Sequence, residues 1–398
     1  MAWTKYRLKD IAVSIQTGPF GSQLHQSDYS EVGTPVVMPK DMIDGTIEES
    51  NIARVSEAHV NRLSRHKVMP GDILYSRRGD VGRCAIITER EAGWLCGTGC
   101  LKVQLDRSKV VPTFVFYILK RKDSVGWIEN HAVGATMPNL NTEILKKLPI
   151  TLPPLLEQRR IASILSAYDN LIENNTRRIR LLEQMAENIY KEWFVRFRFP
   201  GHENAEFENG LPKGWQTVKL SEYADIVMGQ SPDSQYYNES KIGLPFHQGV
   251  GSYGYFYLND DVYSSQGKKI AEPNSIIFSV RAPVGRINIT LHRIIIGRGV
   301  CSINAKDGTN AFLLWLLKDK FSKEDSIGNG AIFASVTKDE LSKQKILIPD
   351  NELLLKFNRI ADHLEKQIRL LTSQNHLLTR QRDLLLPRLM SGKLEVKS

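Results

Sequence analysis

Gly249-Val250-Gly251-Ser252-Tyr253-Gly254 is the one stretch whose residue types and spacing fit a nucleotide-binding fingerprint, formally G-x-G-x-x-G. That chemistry requires a strand before the glycines and a helix after them, so that a pyrophosphate meets free helix N–H groups. Tyr255-Phe256-Tyr257-Leu258 follows instead and is strand-like, so the glycines predict a turn. Ser391-Gly392-Lys393 lacks the upstream glycine of a phosphate-binding loop. Pro153-Pro154 follows Leu152, so neither Asn-Pro-Pro-Tyr nor Asp-Pro-Pro-Phe, the amino-methyltransferase motifs, is present. Pro349-Asp350-Asn351-Glu352 with Lys356 is too tightly spaced for a nuclease centre and stands where a helix begins. The 9 histidines are scattered, and no Ser/His/Asp or Cys/His group can be assembled from them. Cys84, Cys96, Cys100 and Cys301 form no C-x-x-C pair, which speaks against zinc and for reduced, buried thiols in a cytoplasm. The sequence predicts a chain with no catalytic residue, metal or cofactor of its own.

Polar loops are the better candidates for function. Ser76-Arg77-Arg78-Gly79 with Arg83 occupies one turn, and Ser279, Arg281 and Arg286 occupy its counterpart. Arginine there suits phosphate, or the guanine edge in a major groove. Arg83 and Arg286 suit a solvated turn equally well, because both turns keep them. A residue kept in both places is a poor base reader if the two targets differ. Positions that differ are the candidates for reading sequence. These are Thr17, Phe20, Ser22, Gln23, Lys40 and Asp41 in the first half, and Gln230, Ser231, Gln248 and Tyr253 in the second.

The turns correspond because one plan is written twice. WTKYRLKDI at Trp3 matches WQTVKLSEY at Trp215, and Gly18 falls opposite Gly229. GDILYSRRGDVGR from Gly71 matches NSIIFSVRAPVGR from Asn274. Gly97 and Gly99 answer Gly297 and Gly299, and the Pro153 turn answers Pro349. Between these landmarks the halves hardly agree, so the framework repeats while the loops diverge, as expected of two modules doing one task on different targets. Val36–Met38, Ile73–Tyr75 and Cys84–Ile87 predict short strands, and Pro112–Lys120 a short amphipathic helix. The reading is α+β: mixed α/β segments at 1–150 and 215–348, long helices within 151–198 and 349–398, and a linker at 199–214.

Each long helix carries apolar residues at alternating four- and three-residue steps, the pattern of a coiled-coil seam. The first seam is Ile161, Leu165, Tyr168, Ile172, Asn175, Ile179, Leu182, Ala186, Ile189 and Trp193. The second is Phe357, Ala361, Leu364, Ile368, Leu371, Asn375, Leu378, Arg382 and Leu385, offset from the first by a constant step. The two seams are natural partners within one chain. Leu370, Leu377 and Leu384 add a second stripe, and Ile164, Leu171 and Met185 widen the first helix. Those extra faces suit either partner helices or the chain's own globular segments.

At 398 residues, 41% hydrophobic and 24% charged, the chain can bury two or three ordinary cores. The segment MAWTKYRLKDIAV contains no apolar run of signal-peptide or membrane-span length, so no membrane role is expected. A net charge of +9 suits a polyanion partner without singling out nucleic acid.

Four motifs together resemble the specificity subunits of type I restriction–modification systems, over essentially the whole chain. They are the run Arg382 to Leu394, Leu152-Pro153-Pro154-Leu155 leading into Glu157-Gln158-Arg159-Arg160-Ile161, Glu192-Trp193-Phe194 with Phe199-Pro200-Gly201, and Leu211-Pro212-Lys213-Gly214-Trp215. One departure is that the second helix opens Asn351-Glu352-Leu353-Leu354, without the Glu-Gln-basic-basic start of the first. The resemblance implies a non-catalytic subunit in which 1–150 and 215–348 are target recognition domains for double-stranded DNA. Each would read half of an interrupted, asymmetric site. The helices would pair antiparallel as a spacer, related by an internal pseudo-two-fold repeat, and dock two copies of a methylation subunit. That partner would bind S-adenosylmethionine and methylate adenine N6, and a restriction subunit would use ATP and Mg2+ for translocation and cleavage. From Ile161 to Trp193 a helix spans about 50 Å at roughly 1.5 Å per residue, against about 34–36 Å for one turn of B-DNA. Two other readings stay open: a coiled-coil scaffold without DNA specificity, and a self-sufficient methyltransferase or endonuclease.

Overall fold

The computed structural model describes residues 3–134, 138–322 and 335–394. The chain divides into two compact units, one built from Met1–Asn174 with Gln374–Ser398, the other from Asn175–Ser373. The division cuts both long helices, so each unit is a globular segment plus half of each helix.

The first unit contains β1 (Thr4–Arg7), β2 (Ala12–Thr17), β3 (Thr34–Val37), β4 (Ile73–Ser76), β5 (Cys84–Ile86), β6 (Leu95–Cys96), β7 (Cys100–Leu105), α1 (Pro112–Leu119) and β8 (Pro149–Leu152), before α2 (Leu155–Tyr190) begins. Strands β2, β7, β4 and β5 form one antiparallel sheet in that order, and β6 lies parallel to β3 in a second. Apolar and β-branched residues bury β7 on both faces, Leu101 and Val103 in one core and Cys100 in another. Its one lysine, Lys102, satisfies its ammonium on the Arg65 and Lys67 carbonyls at 3.1 and 2.6 Å. Pro112 presets the first turn of α1, and Phe114 to Leu119 are all buried. Strand β8 pairs antiparallel with β1, Leu152 opposite Thr4, and returns the chain to the start of α2. The buried Gln158 ties that start to α1: its amide oxygen accepts the Val111 N–H at 3.0 Å, and its amide nitrogen donates to the Pro153 carbonyl at 2.8 Å.

The second unit repeats the order with β9 (Gln216–Lys219), β10 (Ala224–Met228), β11 (Leu244–His247), β12 (Ile276–Ser279), β13 (Ile287–Ile289), β14 (Ile294–Ile296), β15 (Val300–Ala305), α3 (Asn310–Lys320) and β16 (Lys345–Ile348), then α4 (Asn351–Leu389). Strands β10, β15, β12 and β13 reproduce the antiparallel sheet, β14 lies parallel to β11, and β16 pairs with β9. Helix α4 starts under an Asp350 cap, whose carboxylate accepts the Leu353 N–H at 2.9 Å. Tyr255–Leu258 is not a strand. The chain bends at Tyr255 and Phe256; Tyr257 bridges Ile289, Leu258 bridges Tyr253, and Phe256, Tyr257 and Leu258 are buried.

The helix halves run antiparallel inside each unit. In the first, the Asn375 amide donates to the Ile172 carbonyl at 3.3 Å, and Arg382 pairs with Asp169 at 2.6 Å. Asp169 also accepts the Tyr117 hydroxyl of α1, so the charged seam residue Arg382 closes a polar link across three helices. Ile161 and Leu165 share a core with Leu389 and Met390, and Leu385 packs against it. In the second unit Phe357, Ala361, Leu364, Ile368 and Leu371 share a core with Ile179, Ala186, Tyr190 and Trp193, flanked by Leu182 and Ile189. Tyr168, Ile172 and Leu378 are half-buried. The Trp193, Phe194, Phe199 and Trp215 motifs form an aromatic cluster there, with Phe194 5.0 Å from Phe357 and 5.8 Å from Trp215.

Burial raises the Glu365 carboxyl of α4 to about 8, with Asp362 adding to the rise and Lys318 opposing it. The folded chain holds a proton there that the unfolded chain, near 4.5, releases. Stability therefore falls as pH rises from about 4.5 to 8. Glu365→Gln is expected to match the parent near pH 4 and to exceed it by a few kcal/mol at pH 8. Urea unfolding at the two pH values measures the difference.

Candidate nucleic-acid interface

In each unit the loops leaving one end of the antiparallel sheet are drawn together by glycines that admit no side chain. In the first unit a Cβ on Gly18 would lie 1.9 Å from the Gly97 carbonyl oxygen, and one on Gly97 would lie 2.5 Å from the Val37 oxygen. In the second, a Cβ on Gly229 would lie 2.1 Å from the Gly297 oxygen, and one on Gly299 2.2 Å from the Gln248 oxygen. The same hydrogen bonds recur: Gly18 N–H to Cys100 O and Gly229 N–H to Val300 O, Arg77 N–H to Gly99 O and Val280 N–H to Gly299 O, Gly97 N–H to Val37 O and Gly297 N–H to His247 O. Loop after β2 or β10, β4–β5 or β12–β13 turn, and β3 or β11 exit thus meet at one rim.

The first rim gathers most of the expected residues. Phe20, Ser22, Lys40 and Arg78 are exposed, and Thr17, Gln23 and Arg77 are half-buried beside them. The Arg77 guanidinium stands 6.0 Å from the exposed Phe20 ring. Gln23 accepts the Phe20 N–H at 3.2 Å, which fixes that turn. Asp41 is buried, its carboxylate accepting the Met38 N–H at 2.8 Å, and so shapes the loop rather than facing outward. Arg83 is engaged within the rim, with Asp80 at 2.9 Å and the Pro39 carbonyl at 3.3 Å. That arrangement favours the structural role for Arg83.

The second rim holds Gln230, Gln248 and Arg281, all exposed, with the half-buried Ser231. Tyr253 turns inward, its hydroxyl donating to the Ile277 carbonyl at 3.3 Å. Ser279 is wholly buried, accepting the Arg286 N–H at 2.9 Å and donating to Pro283 O at 2.7 Å. Sequence reasoning missed Arg298, an exposed residue between Gly297 and Gly299 whose N–H donates to the Ser231 hydroxyl at 3.1 Å. The signal was available: one residue that changes from Thr98 to Arg298 between glycines that do not change.

The structure also assembles a Ser/His/Asp group that the scattered histidines concealed. His247 meets the Ser252 hydroxyl through Nδ1 at 2.8 Å and Asp260 through Nε2 at 3.0 Å. The imidazole is fully buried, and Ser252 also donates to the Gly249 carbonyl at 3.3 Å, so the group braces the 248–260 loop instead of exposing a nucleophile. The Gly249–Gly254 stretch is a turn with one short 3-10 segment, Val250–Ser252. Among the described residues no group of three or more His, Cys, Asp or Glu side chains is placed to hold a metal ion. No helix among them is long and apolar enough to cross a membrane. On the long helices Leu171, Met185, Leu370, Leu377 and Leu384 are all more than half exposed, while Ile164 packs against the first core. The chain's own globular segments leave that stripe uncovered.

Comparison with known proteins bears on the family and the fold. The family described as type I restriction modification DNA specificity domain matches residues 2–184 and 212–380. A type I restriction enzyme specificity subunit of Methanocaldococcus jannaschii (MjaX) is 30% identical over 407 residues, covering 100% of this chain and 94% of the relative. A second from that organism (MjaIX) is 25% identical, covering 99% and 94%. The crystal structure of a type I restriction–modification S subunit from M. genitalium shares the fold, with a TM-score of 0.63 at 17% identity, covering 100% of this chain and 97% of that one.

Proposed function

Since the chain belongs to the type I restriction modification DNA specificity family, we propose that its two rims each read one half of an asymmetric, interrupted DNA site. It is a specificity subunit with two target recognition domains, non-catalytic, that works in complexes with DNA and other subunits. The observation carrying the two-rim reading is the repeated glycine lock beneath unlike side chains: Phe20, Ser22, Lys40, Arg77 and Arg78 against Gln230, Ser231, Gln248 and Arg281. One backbone held twice supplies position, and divergent side chains supply difference. The arginines and lysine at the rims add attraction for phosphate.

Helices α2 and α4 set the gap, and their exposed leucine and methionine stripe docks two methylation subunits. An apolar stripe of this extent on exposed helices suits partner helices. Those partners supply S-adenosylmethionine and adenine N6 methylation, and a restriction subunit supplies ATP- and Mg2+-dependent translocation and cleavage, in the cytoplasm. The test is to map methylated adenines in DNA from cells expressing this chain with its cognate methylation subunit. A two-part motif with a fixed gap is expected. Absence of any motif, with binding insensitive to salt, would favour the scaffold reading instead.

A further inference from the structure

The scaffold leaves one variable residue between its two retained glycines, Thr98 in the first unit and Arg298 in the second. We propose that Arg298 reads a guanine in the half-site met by the second unit, a specificity contact that rests on the DNA-reading function above. Three observations converge on it. Its backbone is held on every side: Arg298 N–H donates to Ser231 Oγ at 3.1 Å, Gly297 N–H to His247 O at 2.8 Å, and Gly299 N–H to Gln248 O at 3.0 Å. His247 is itself locked between Ser252 and Asp260, so the platform beneath Arg298 is braced from within. The side chain is exposed, and its guanidinium has no partner among the described residues, whereas Arg83 is engaged inside its own rim.

A contact to phosphate needs charge alone. Reading a base needs a fixed Cα, because a guanidinium must present two parallel N–H donors to guanine O6 and N7 at once. Arg298 has the fixed backbone and the unengaged fork together. Thr98, at the matching place in the first unit, is too short to present such a fork, and its hydroxyl lies 4.0 Å from Met38 Sδ. The first unit therefore reads its half-site without this contact, as different targets require.

The experiment uses the full chain co-expressed with its cognate methylation subunit, as parent, Arg298→Thr and Arg298→Lys. Methylated adenines are mapped in cells, and binding of the purified complex is measured on duplexes carrying each base at every half-site position. Arg298→Thr is expected to erase a guanine preference at one position, to weaken cognate binding about ten- to a hundredfold, and to leave the other half-site and the gap unchanged. Arg298→Lys is expected to lose the same preference, since an ammonium has no planar fork. An unchanged motif overturns the proposal. So does uniform weakening on every duplex with the preference kept and the salt slope reduced by about one, which marks a phosphate contact. Threonine already sits between these glycines in the first unit; should Arg298→Thr still unfold, Arg298→Lys decides. A parent chain that yields no two-part motif defeats the functional reading itself, and is told apart because no variant is involved.

Discussion

Removing one heptad from each of α2 and α4, at facing positions, is expected to shorten the gap of the recognised site by about three base pairs while leaving both half-sites intact. Seven residues at about 1.5 Å each shorten a helix by about 10 Å, and B-DNA rises about 3.4 Å per base pair. A whole heptad preserves the register of the seam, so Ile161 and Leu165 keep facing inward, as do Phe357 and Leu364. Deleting it from one helix alone leaves its partner unpaired over two turns and is expected to destabilise the chain instead. The readout is the methylated motif, mapped for the parent, the double deletion and the single deletions. A double deletion that recognises the parental gap would remove the helices from the role of spacer.

Gly229→Ala is expected to abolish recognition of the second half-site and to cost about 2–4 kcal/mol, at the high end for one methyl group. The added Cβ would meet the Gly297 oxygen at 2.1 Å and the Gly297 and Ile296 carbonyl carbons at 2.8 Å, all backbone atoms of a bonded sheet. No rotamer change relieves such a clash, so the loop carrying Gln230 and Ser231 must leave the rim. Gly251→Ala provides the contrast within the same rim, because nothing lies within 4 Å of its Cβ and its φ is not left-handed. It is expected to keep both half-sites and nearly parental stability. Urea melts and methylation mapping on the two variants separate the lock from general sensitivity of glycine-rich loops.

The scaffold was legible in the sequence wherever the chemistry has few solutions. Close backbone approach demands glycine, so the pairs Gly18/Gly229, Gly97/Gly297 and Gly99/Gly299 stood out, and each now has a named clash. The buried face of each long helix was legible because four-and-three spacing puts Ile161 and Leu165, like Phe357 and Leu364, on one side, and all four are buried. Much of the site was not. Tyr253 is a candidate because it differs between the halves, yet its hydroxyl serves Ile277. Asp41 is one on the same ground, yet its carboxylate accepts the Met38 N–H of its own turn. His247, Ser252 and Asp260 lie on a loop whose path only tertiary structure decides. Arg382 carried a charge on an apolar seam, and nothing local announced Asp169, which also accepts the Tyr117 hydroxyl, as its partner. Side-chain direction in divergent loops has no periodicity to read.

The division of each long helix between the two units has a consequence for biosynthesis. Leu389 and Met390 are buried in the core of the first unit, beside residues from Leu8 to Leu165. A ribosome delivers that first segment early but releases residues 374–394 only after the whole of 175–373. At about 5–20 residues per second, the first unit waits some tens of seconds with part of its core open, while the second can close earlier from contiguous chain. Truncation after residue 373 would therefore injure the unit that is made first.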